Sequence, residues 1–193
     1  HGVIRGIVVC LEEITGSTEL TGKTFAIQGL GKIGAAVLQL LYPHAKTVYV
    51  ADIDTVTARA IKKEFTRVVL VRPQEIHSHR VDVFIPCALS NAVNAKTLSK
   101  LRCKIIAGGA NSQLENREVG ALLHNVGILY APDYVINAGG LIAVVDEYEH
   151  KGFDESRVLK RIAGIGNKLK SIIDASKKQN KGTNFIADEM AEK

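Results

Sequence analysis

Short apolar runs and helical repeats of apolar residues alternate along the chain. The compact runs predict strands at 25–27, 47–51, 68–71, 81–85, 104–107 and 128–130. Apolar residues spaced three or four apart predict helices at 2–14, 33–41, 54–65, 95–100, 116–125, 137–150, 156–178 and 184–193. Strands that alternate with helices indicate an α/β fold with a doubly wound, mainly parallel sheet, flanked by the C-terminal helices.

The first predicted strand ends in three glycines, Gly29, Gly31 and Gly34, at the spacing G-x-G-x-x-G, and a predicted helix follows. A strand, a glycine turn and a helix in this order predict a Rossmann-type dinucleotide-binding domain. Gly29 permits the tight turn, Gly31 lets a pyrophosphate approach the backbone, and Gly34 lets the helix pack closely on the strand. The phosphates would face unpaired N–H groups at the helix N-terminus.

Asp52 ends the second predicted strand, about 20 residues beyond Gly29. A carboxylate at this distance accepts hydrogen bonds from the adenine ribose of NAD and repels the 2′-phosphate of NADP. No arginine directly follows Asp52, and the nearest basic residue, Arg59, lies a helix turn or more away. The predicted cofactor is therefore NAD. The alternative is that Asp52 or Asp54 only caps the following helix.

Composition narrows the classes of partner. With 193 residues, 46% of them hydrophobic, the chain is expected to form one domain over 1–193 with a real core. A net charge of +5 makes nucleic acid a partner to consider. The cations are scattered, however, and only 5% of residues are aromatic, so no nucleic-acid partner is predicted. No apolar run reaches the length of a membrane span. Three cysteines without C-x-x-C spacing favour the reducing cytosol.

Two polar clusters in the sequence could suggest a metal or catalytic site. His77 and His79 lack a third ligand at a suitable spacing, so they predict a solvated loop, and no metal is predicted. The acidic residues Asp146, Glu147 and Glu149 are expected on a helix face and not as a general base.

Every unusual loop falls after a predicted strand, where parallel sheets bind their ligands. The motifs there are P-C-A-L (86–89), I-A-G-G-A-N-S-Q-L (106–114) and Y-A-P-D-Y-V-I-N-A-G-G (130–140). Together with the glycine turn and V-A-D-I-D, they resemble the amino-acid dehydrogenases that act on glutamate, leucine, phenylalanine and valine, and most nearly the leucine dehydrogenases. The resemblance spans essentially the whole chain, and the 130–140 motif is its most specific part.

The resemblance implies a function and a set of site residues. The function is reversible NAD-dependent oxidative deamination of leucine or another branched-chain amino acid to a 2-oxo acid and ammonium. The implied cofactor contacts are Gly29, Gly31, Lys32, Ile33, Gly34, Asp52, Ile53, Cys87, Ala88, Ala110, Asn111 and Asn137. The implied substrate-side residues are Asn137, Ile162 and Ile165.

Several of these residues have a purely structural alternative. Cys87 and Ala88 would lie beside the nicotinamide, or they only end a buried strand. Asn111 is similar to a family residue near the nicotinamide ribose, or it is a turn residue in the left-handed conformation. Asn137 is similar to the asparagine between nicotinamide and substrate, or it caps the following helix. The two isoleucines would line an apolar substrate pocket, or they belong to the helix core.

The resemblance also implies a division of the whole protein. The family's catalytic lysines and aspartate belong to a separate N-terminal domain, and no such motif occurs in this sequence. We therefore expect no catalytic residue here and a catalytic domain ahead of His1. A hinge helix over about 1–15 and C-terminal helices over about 154–193 would belong to the NAD-binding domain.

The whole protein is expected to be a cytoplasmic homo-oligomer whose partner is a small amino acid or 2-oxo acid. Two kinds of alternative stay open. One is a phenylalanine-, valine- or glutamate-type dehydrogenase. The other is a non-catalytic nucleotide-sensing or scaffold module.

Overall fold

The computed structural model describes residues 1–88 and 90–192, and these residues form one six-stranded parallel sheet. Its strands are β1 (Thr24–Gln28), β2 (Thr47–Ala51), β3 (Val69–Leu70), β4 (Val81–Pro86), β5 (Cys103–Ile106) and β6 (Leu129–Tyr130). Their order in the sheet is β3-β2-β1-β4-β5-β6. Leu89, the last residue of the P-C-A-L motif, lies outside the described residues.

The helices cover both faces of the sheet. They are α1 (Gly2–Thr15), α2 (Lys32–Leu41), α3 (Thr55–Glu64), α4 (Ala95–Leu98), α5 (Arg117–Asn125), α6 (Asp133–Ile136), α7 (Gly139–His150), α8 (Glu155–Gln179) and α9 (Thr183–Ala191). The predicted α/β class is confirmed, and each predicted strand is present. The sequence pattern missed α6 and a 3-10 turn at Ile76–Ser78, because both are too short to show apolar residues recurring at helical spacing.

The strand order places a crevice at the centre of the sheet. The chain leaves β1 toward β2 and β3 on one side and returns to β4 on the other, so the connections diverge between β1 and β4. In such sheets this divergence opens a crevice beyond the carboxyl ends of the two strands. Here β1 is followed by Gly29, and β4 by Cys87.

Two apolar cores lie on the two faces of the sheet. Along β1, Phe25 and Ile27 join the core that holds α1, α2 and α8, whereas Ala26 joins the opposite core. The apolar stripe on α2 is narrower than predicted, since Ile33 and Leu40 are exposed. Val37, Leu38 and Leu41 are buried. Ile33 instead lies at the crevice, where its side chain occupies the space that a Cβ on Gly109 would need.

Two further features concern the whole chain. None of the helices in the described part is both long and apolar enough to cross a bilayer. Cys10, Cys87 and Cys103 are free, so they form no disulfide framework.

Asp146 joins α7 to α8 through an ion cluster, in which its buried carboxylate pairs with two partly exposed arginines. Its side chain is 0% exposed, and it accepts hydrogen bonds from Arg157 Nε at 2.7 Å and Arg161 Nη1 at 3.3 Å. The helix-face prediction holds for Glu147 and Glu149, which are exposed, but Asp146 faces inward. Burial alone would raise the pKa of Asp146, but the two guanidinium groups outweigh it and hold this pKa below its ordinary value.

We expect this cluster to make stability depend on acid pH. The pKa of Asp146 is lower in the folded state, so its contribution is present at neutral pH and is lost as pH falls below the ordinary aspartate pKa of about 4. Asp146→Asn should lower the thermal unfolding midpoint by several degrees at pH 7, and the difference from wild type should shrink toward pH 3.

The matched control is Glu147→Gln, which removes a neighbouring exposed carboxylate of the same helix. It should leave the midpoint unchanged at both pH values. Circular dichroism melts of the three proteins measure this, and an Asp146→Asn variant as stable as wild type at pH 7 would contradict the role of the cluster.

Candidate functional site

The glycine turn occupies the carboxyl end of β1. Gly29 has φ +91°, and a Cβ there would lie 2.7 Å from the Ala88 backbone nitrogen, so only glycine suits this position. A Cβ on Gly34 would overlap the Gly29 carbonyl oxygen. The tight turn and the close helix packing expected of these two residues are therefore present.

Gly31 differs from Gly29 and Gly34 because it faces open space. It is the N-cap of α2, and a Cβ there would meet no described atom within 4 Å. Lys32 and Ile33 follow in the first helical turn, and both side chains are exposed. The first N–H groups of a helix have no intrahelical partner, so the start of α2 can accept an anion directly at the backbone.

Asp52 is fixed against this turn by its own carboxylate. Its Oδ2 accepts from Leu30 N at 2.6 Å, and its Oδ1 accepts from Asp54 N at 2.8 Å. The helix-cap alternative applies to Asp54, the N-cap of α3, whose carboxylate accepts from Val56 N at 2.9 Å. Asp52 is therefore not the cap of that helix, and its neighbour Ile53 is 81% exposed.

A cleft of about 250 Å³ lies beside these residues. Its walls include Gly29, Asp52, Ile53, Ala88 and His77. The cleft thus joins the loops that follow β1, β2 and β4, which is the edge of the sheet where the sequence predicted a nucleotide.

The solvated-loop prediction for the histidines was wrong. His77 is only 7% exposed, because the 3-10 turn that holds it packs against the sheet, and its Nε2 lies 3.2 Å from the Ala92 carbonyl oxygen. Burial lowers the pKa of His77, which therefore stays neutral at pH 7. His79 stacks on Tyr49 with ring centroids 4.4 Å apart. In the part of the chain that the structure describes, no group of three His, Cys, Asp or Glu side chains is placed to hold a metal ion.

Backbone hydrogen bonds tie the loops around the other half of the crevice. Cys87 N donates to the Gln28 carbonyl oxygen at 2.7 Å, and Ala110 N donates to the Pro86 carbonyl oxygen at 3.0 Å. Burial raises the pKa of Cys87 to about 11, so its side chain is a neutral thiol. Cys87, Ala88 and Ala110 therefore lie on one continuous rim formed by the ends of β4 and β5.

Asn111 and Asn137 meet on this rim, although 26 residues separate them. Asn137 Nδ2 donates to Asn111 Oδ1 at 2.8 Å and to the Gly109 carbonyl oxygen at 2.9 Å. Both structural alternatives were wrong: Ala138 is the N-cap of α7, and the left-handed residue of the other loop is Ser112, with φ +51°. Within the described residues, the pair leaves one amide NH₂ group and one amide oxygen free to bind a ligand.

Ile162 and Ile165 lie under the start of α7. Both belong to the main apolar core, and Ile162 Cδ1 is 3.5 Å from the position of a Cβ on Gly139. Their burial agrees with the helix-core alternative. Their place directly beneath the turn that carries Asn137 is also where a substrate side chain would need an apolar floor, and this role stays a prediction.

Sequence reasoning missed Asp133, a carboxylate that follows β6 and is 6% exposed. It accepts hydrogen bonds from Gln113 N, the Tyr130 hydroxyl and Tyr134 N. The available signal was its position inside the 130–140 motif, just after a predicted strand.

The chain is similar to a known family and to curated proteins. Residues 4–190 match the family model described as Glutamate/Leucine/Phenylalanine/Valine dehydrogenase. The L-tryptophan dehydrogenase of Nostoc punctiforme is 42% identical over 192 residues, which cover 99% of this chain and 54% of that protein. The leucine dehydrogenase of Bacillus cereus is 38% identical over 192 residues, covering 100% of this chain and 52% of that protein.

Two solved structures are also similar to this chain. The crystal structure of the Nostoc punctiforme L-tryptophan dehydrogenase superposes with a TM-score of 0.93 at 41% identity, covering 99% of this chain and 58% of that one. The crystal structure of a hetero-hexameric glutamate dehydrogenase from Thermus thermophilus superposes with a TM-score of 0.73 at 21% identity. The match covers 96% of this chain and 49% of that one, and it shows that the two share a fold.

The chain spans about half the length of the curated relatives it matches. The family match covers nearly all of its residues, and two relatives exceed 35% identity over its whole length. This chain therefore belongs to the glutamate/leucine/phenylalanine/valine dehydrogenase family of amino-acid dehydrogenases.

Proposed function

We propose that residues 1–193 are the NAD-binding domain of an NAD-dependent amino-acid dehydrogenase that acts on leucine or another branched-chain amino acid. The observation that carries the proposal is the meeting of Asn111 and Asn137 on the crevice rim, at the same edge of the sheet as the open glycine turn. A crevice with an anion-binding helix start at one end and free amide groups at the other suits a dinucleotide.

The residues present fit the cofactor at three points. Open space at Gly31 lets a pyrophosphate reach the start of α2. The Asp52 carboxylate, held in place by Leu30 N, can accept from ribose hydroxyls and would repel a 2′-phosphate, which supports NAD over NADP. The free amide groups of Asn111 and Asn137 match a carboxamide or a substrate carboxylate and ammonium in hydrogen-bonding type.

In this proposal the chain binds and orients the cofactor and the substrate, and another domain carries out proton transfer. NAD, when bound, would accept a hydride from the substrate α-carbon. Asn137 would orient the amino acid through a neutral amide, and Cys87 and Ala88 would border the nicotinamide. The acid–base groups would come from an N-terminal domain joined through α1, whose residues lie at the proposed hinge over 1–15.

An apolar substrate is supported by the floor beneath Asn137. Ile162 and Ile165 would accept a branched chain and would leave an acidic side chain unpaired, which disfavours a glutamate-type enzyme. The tryptophan and leucine dehydrogenases named above are 42% and 38% identical to this chain, and a phenylalanine dehydrogenase of Thermoactinomyces intermedius is 41% identical. Since these identities are similar, leucine is proposed from the pocket residues. A cytoplasmic homo-oligomer completes the proposal for the whole protein.

We expect the chain to bind NADH well ahead of NADPH. Asp52→Ala should lower NADH affinity about tenfold or more, since a hydrogen bond to a charged group contributes roughly 1.5–3 kcal/mol. Asp52→Asn, which keeps an acceptor but removes the charge, should narrow the preference for NADH over NADPH. Calorimetric titration with both cofactors measures these affinities.

Asp54→Asn is the matched control, because it neutralises a carboxylate two residues away that only caps α3. It should keep the NADH preference of the wild type. A folded wild type that binds neither cofactor, or binds both equally, would count against the proposed NAD site and move the scaffold alternative ahead.

A second expectation concerns Gly31. Its φ of −66° suits alanine, and the space around it is open, so Gly31→Ala should fold with an unfolding midpoint within about 2 °C of wild type. The added methyl group would occupy the path of the pyrophosphate, and NADH affinity should fall by about tenfold.

Gly164→Ala provides the comparison, since this glycine in α8 also faces open space and does not belong to the glycine turn. That variant should bind NADH normally. Unchanged NADH binding in Gly31→Ala would show that no pyrophosphate lies at this turn.

We further expect the 193-residue chain to bind NADH without catalysing deamination. Incubation with NAD and leucine should give no rise in absorbance at the NADH band, whereas the whole protein should form NADH with leucine in preference to glutamate. Leucine-dependent NADH formation by this chain alone would contradict the division of labour between two domains.

A further inference from the structure

A buried carboxylate lies behind the Asn111–Asn137 pair and contacts both segments that carry it. Asp133 Oδ2 accepts from Gln113 N at 3.1 Å, in the loop that follows β5. The backbone carbonyl oxygen of the same residue accepts from Asn137 N at 2.8 Å and so ends α6 at Asn137. One residue therefore connects the loop that bears one amide to the turn that bears the other.

The loop around Asn111 is held on both sides. Gln113 Nε2 donates to the Ala110 carbonyl oxygen at 3.0 Å, and Ala110 N donates to the Pro86 carbonyl oxygen at 3.0 Å. Between them, Ser112 adopts the left-handed conformation with φ +51°, which a residue with a side chain keeps only when its surroundings hold it there. The hydrogen bond from Gln113 N to Asp133 contributes to that hold, together with the bond from Asn91 N to the Ser112 carbonyl oxygen at 2.8 Å.

The carboxylate itself is fixed by neutral donors. Its Oδ1 accepts from the Tyr130 hydroxyl at 3.1 Å and from Tyr134 N at 3.0 Å. Burial, and then the charge of Asp133, raise the pKa of Tyr130, so the hydroxyl stays protonated and keeps donating. Within residues 1–88 and 90–192, no lysine or arginine forms an ion pair with Asp133.

Burying a charge that only neutral hydrogen bonds compensate costs more folding free energy than burying a neutral side chain. We therefore interpret the carboxylate as a group that fixes the geometry of the two loops it contacts. We propose that Asp133 is a positioning residue that fixes the Asn111–Asn137 pair for the nicotinamide end of the dinucleotide. The inference rests on the proposed function. It assigns no chemical step to Asp133, which acts through the two asparagines.

The test compares two ligands that differ only at the nicotinamide end. NADH carries the nicotinamide, and ADP-ribose lacks it while keeping the adenosine and both phosphates. Each is titrated calorimetrically into the folded chain and into Asp133→Asn, with circular dichroism to check the fold. The variant keeps the size of the side chain, but its NH₂ group must face at least one N–H or O–H donor.

Wild type should bind NADH more tightly than ADP-ribose. Asp133→Asn should leave ADP-ribose affinity within about twofold and lower NADH affinity about fivefold, the effect of one hydrogen bond. A purely structural role would weaken both ligands together or neither, so the ratio of the two affinities is the decisive quantity.

Asp82→Asn is the matched control. Asp82 is a partly buried carboxylate that, like Asp133, accepts from a backbone N–H and a hydroxyl, both of Thr24. It differs in also accepting from Lys104 Nζ at 3.1 Å, and it lies at the amino end of β4, on the opposite edge of the sheet. Its variant should keep the wild-type ratio. If Asp133→Asn does not fold, Tyr130→Phe removes one donor to the carboxylate and should lower the same ratio about twofold.

The outcomes separate the two proposals. If wild type binds neither ligand, the proposed NAD site is wrong and the inference falls with it. If wild type prefers NADH and the folded variant keeps the full preference, the NAD site stands and the role of Asp133 is wrong. Equal wild-type affinity for the two ligands would also overturn the role of Asp133, because the asparagine pair would then not hold the nicotinamide.

Discussion

The parallel pairing of β1 with β4 is the constraint on which the rest of the structure depends. These two strands lie side by side at the centre of the sheet, yet the chain visits β2 and β3 between them. Their connections therefore diverge and leave a crevice beyond the carboxyl ends of the two strands. The glycine turn after β1 presses against Ala88 after β4, which explains why Gly29 must lack a side chain.

Much of the fold and part of the site could be predicted because their signals are local. A strand buried on both faces is a continuous apolar run, so β1, β2 and β4 are visible in the sequence. The glycine turn is also local, since its conformation and packing require the absence of side chains at Gly29 and Gly34. The position of Asp52 follows from the end of β2 in the same way.

Other features depend on contacts between distant segments, and no local pattern encodes them. His77 is buried because a short turn packs under the sheet, and Asp146 is buried because Arg157 and Arg161 approach from the next helix. The hydrogen bond between Asn111 and Asn137 joins loops after different strands. Motif resemblance placed both asparagines at the site, but the contact itself appears only when the strands are assembled.

Asp146 and Asp133 are both buried carboxylates, but different groups compensate their charges. Asp146 is compensated by cations, which strengthens the joint between two helices and leaves its surroundings charged. Asp133 is compensated by hydroxyl and backbone donors, which fix direction without adding positive charge near the crevice. The first arrangement suits a structural joint, and the second suits the rim of a binding site.

The asparagine pair has a consequence for the direction of the proposed reaction. Oxidised nicotinamide carries a positive charge and reduced nicotinamide carries none, so a carboxylate at this rim would stabilise one form and an ammonium group the other. The two amides themselves favour neither form strongly. The Asp133 carboxylate lies behind them without a cationic partner among the described residues, so from this side of the crevice it would favour the positively charged, oxidised nicotinamide and lower the reduction potential of the bound couple.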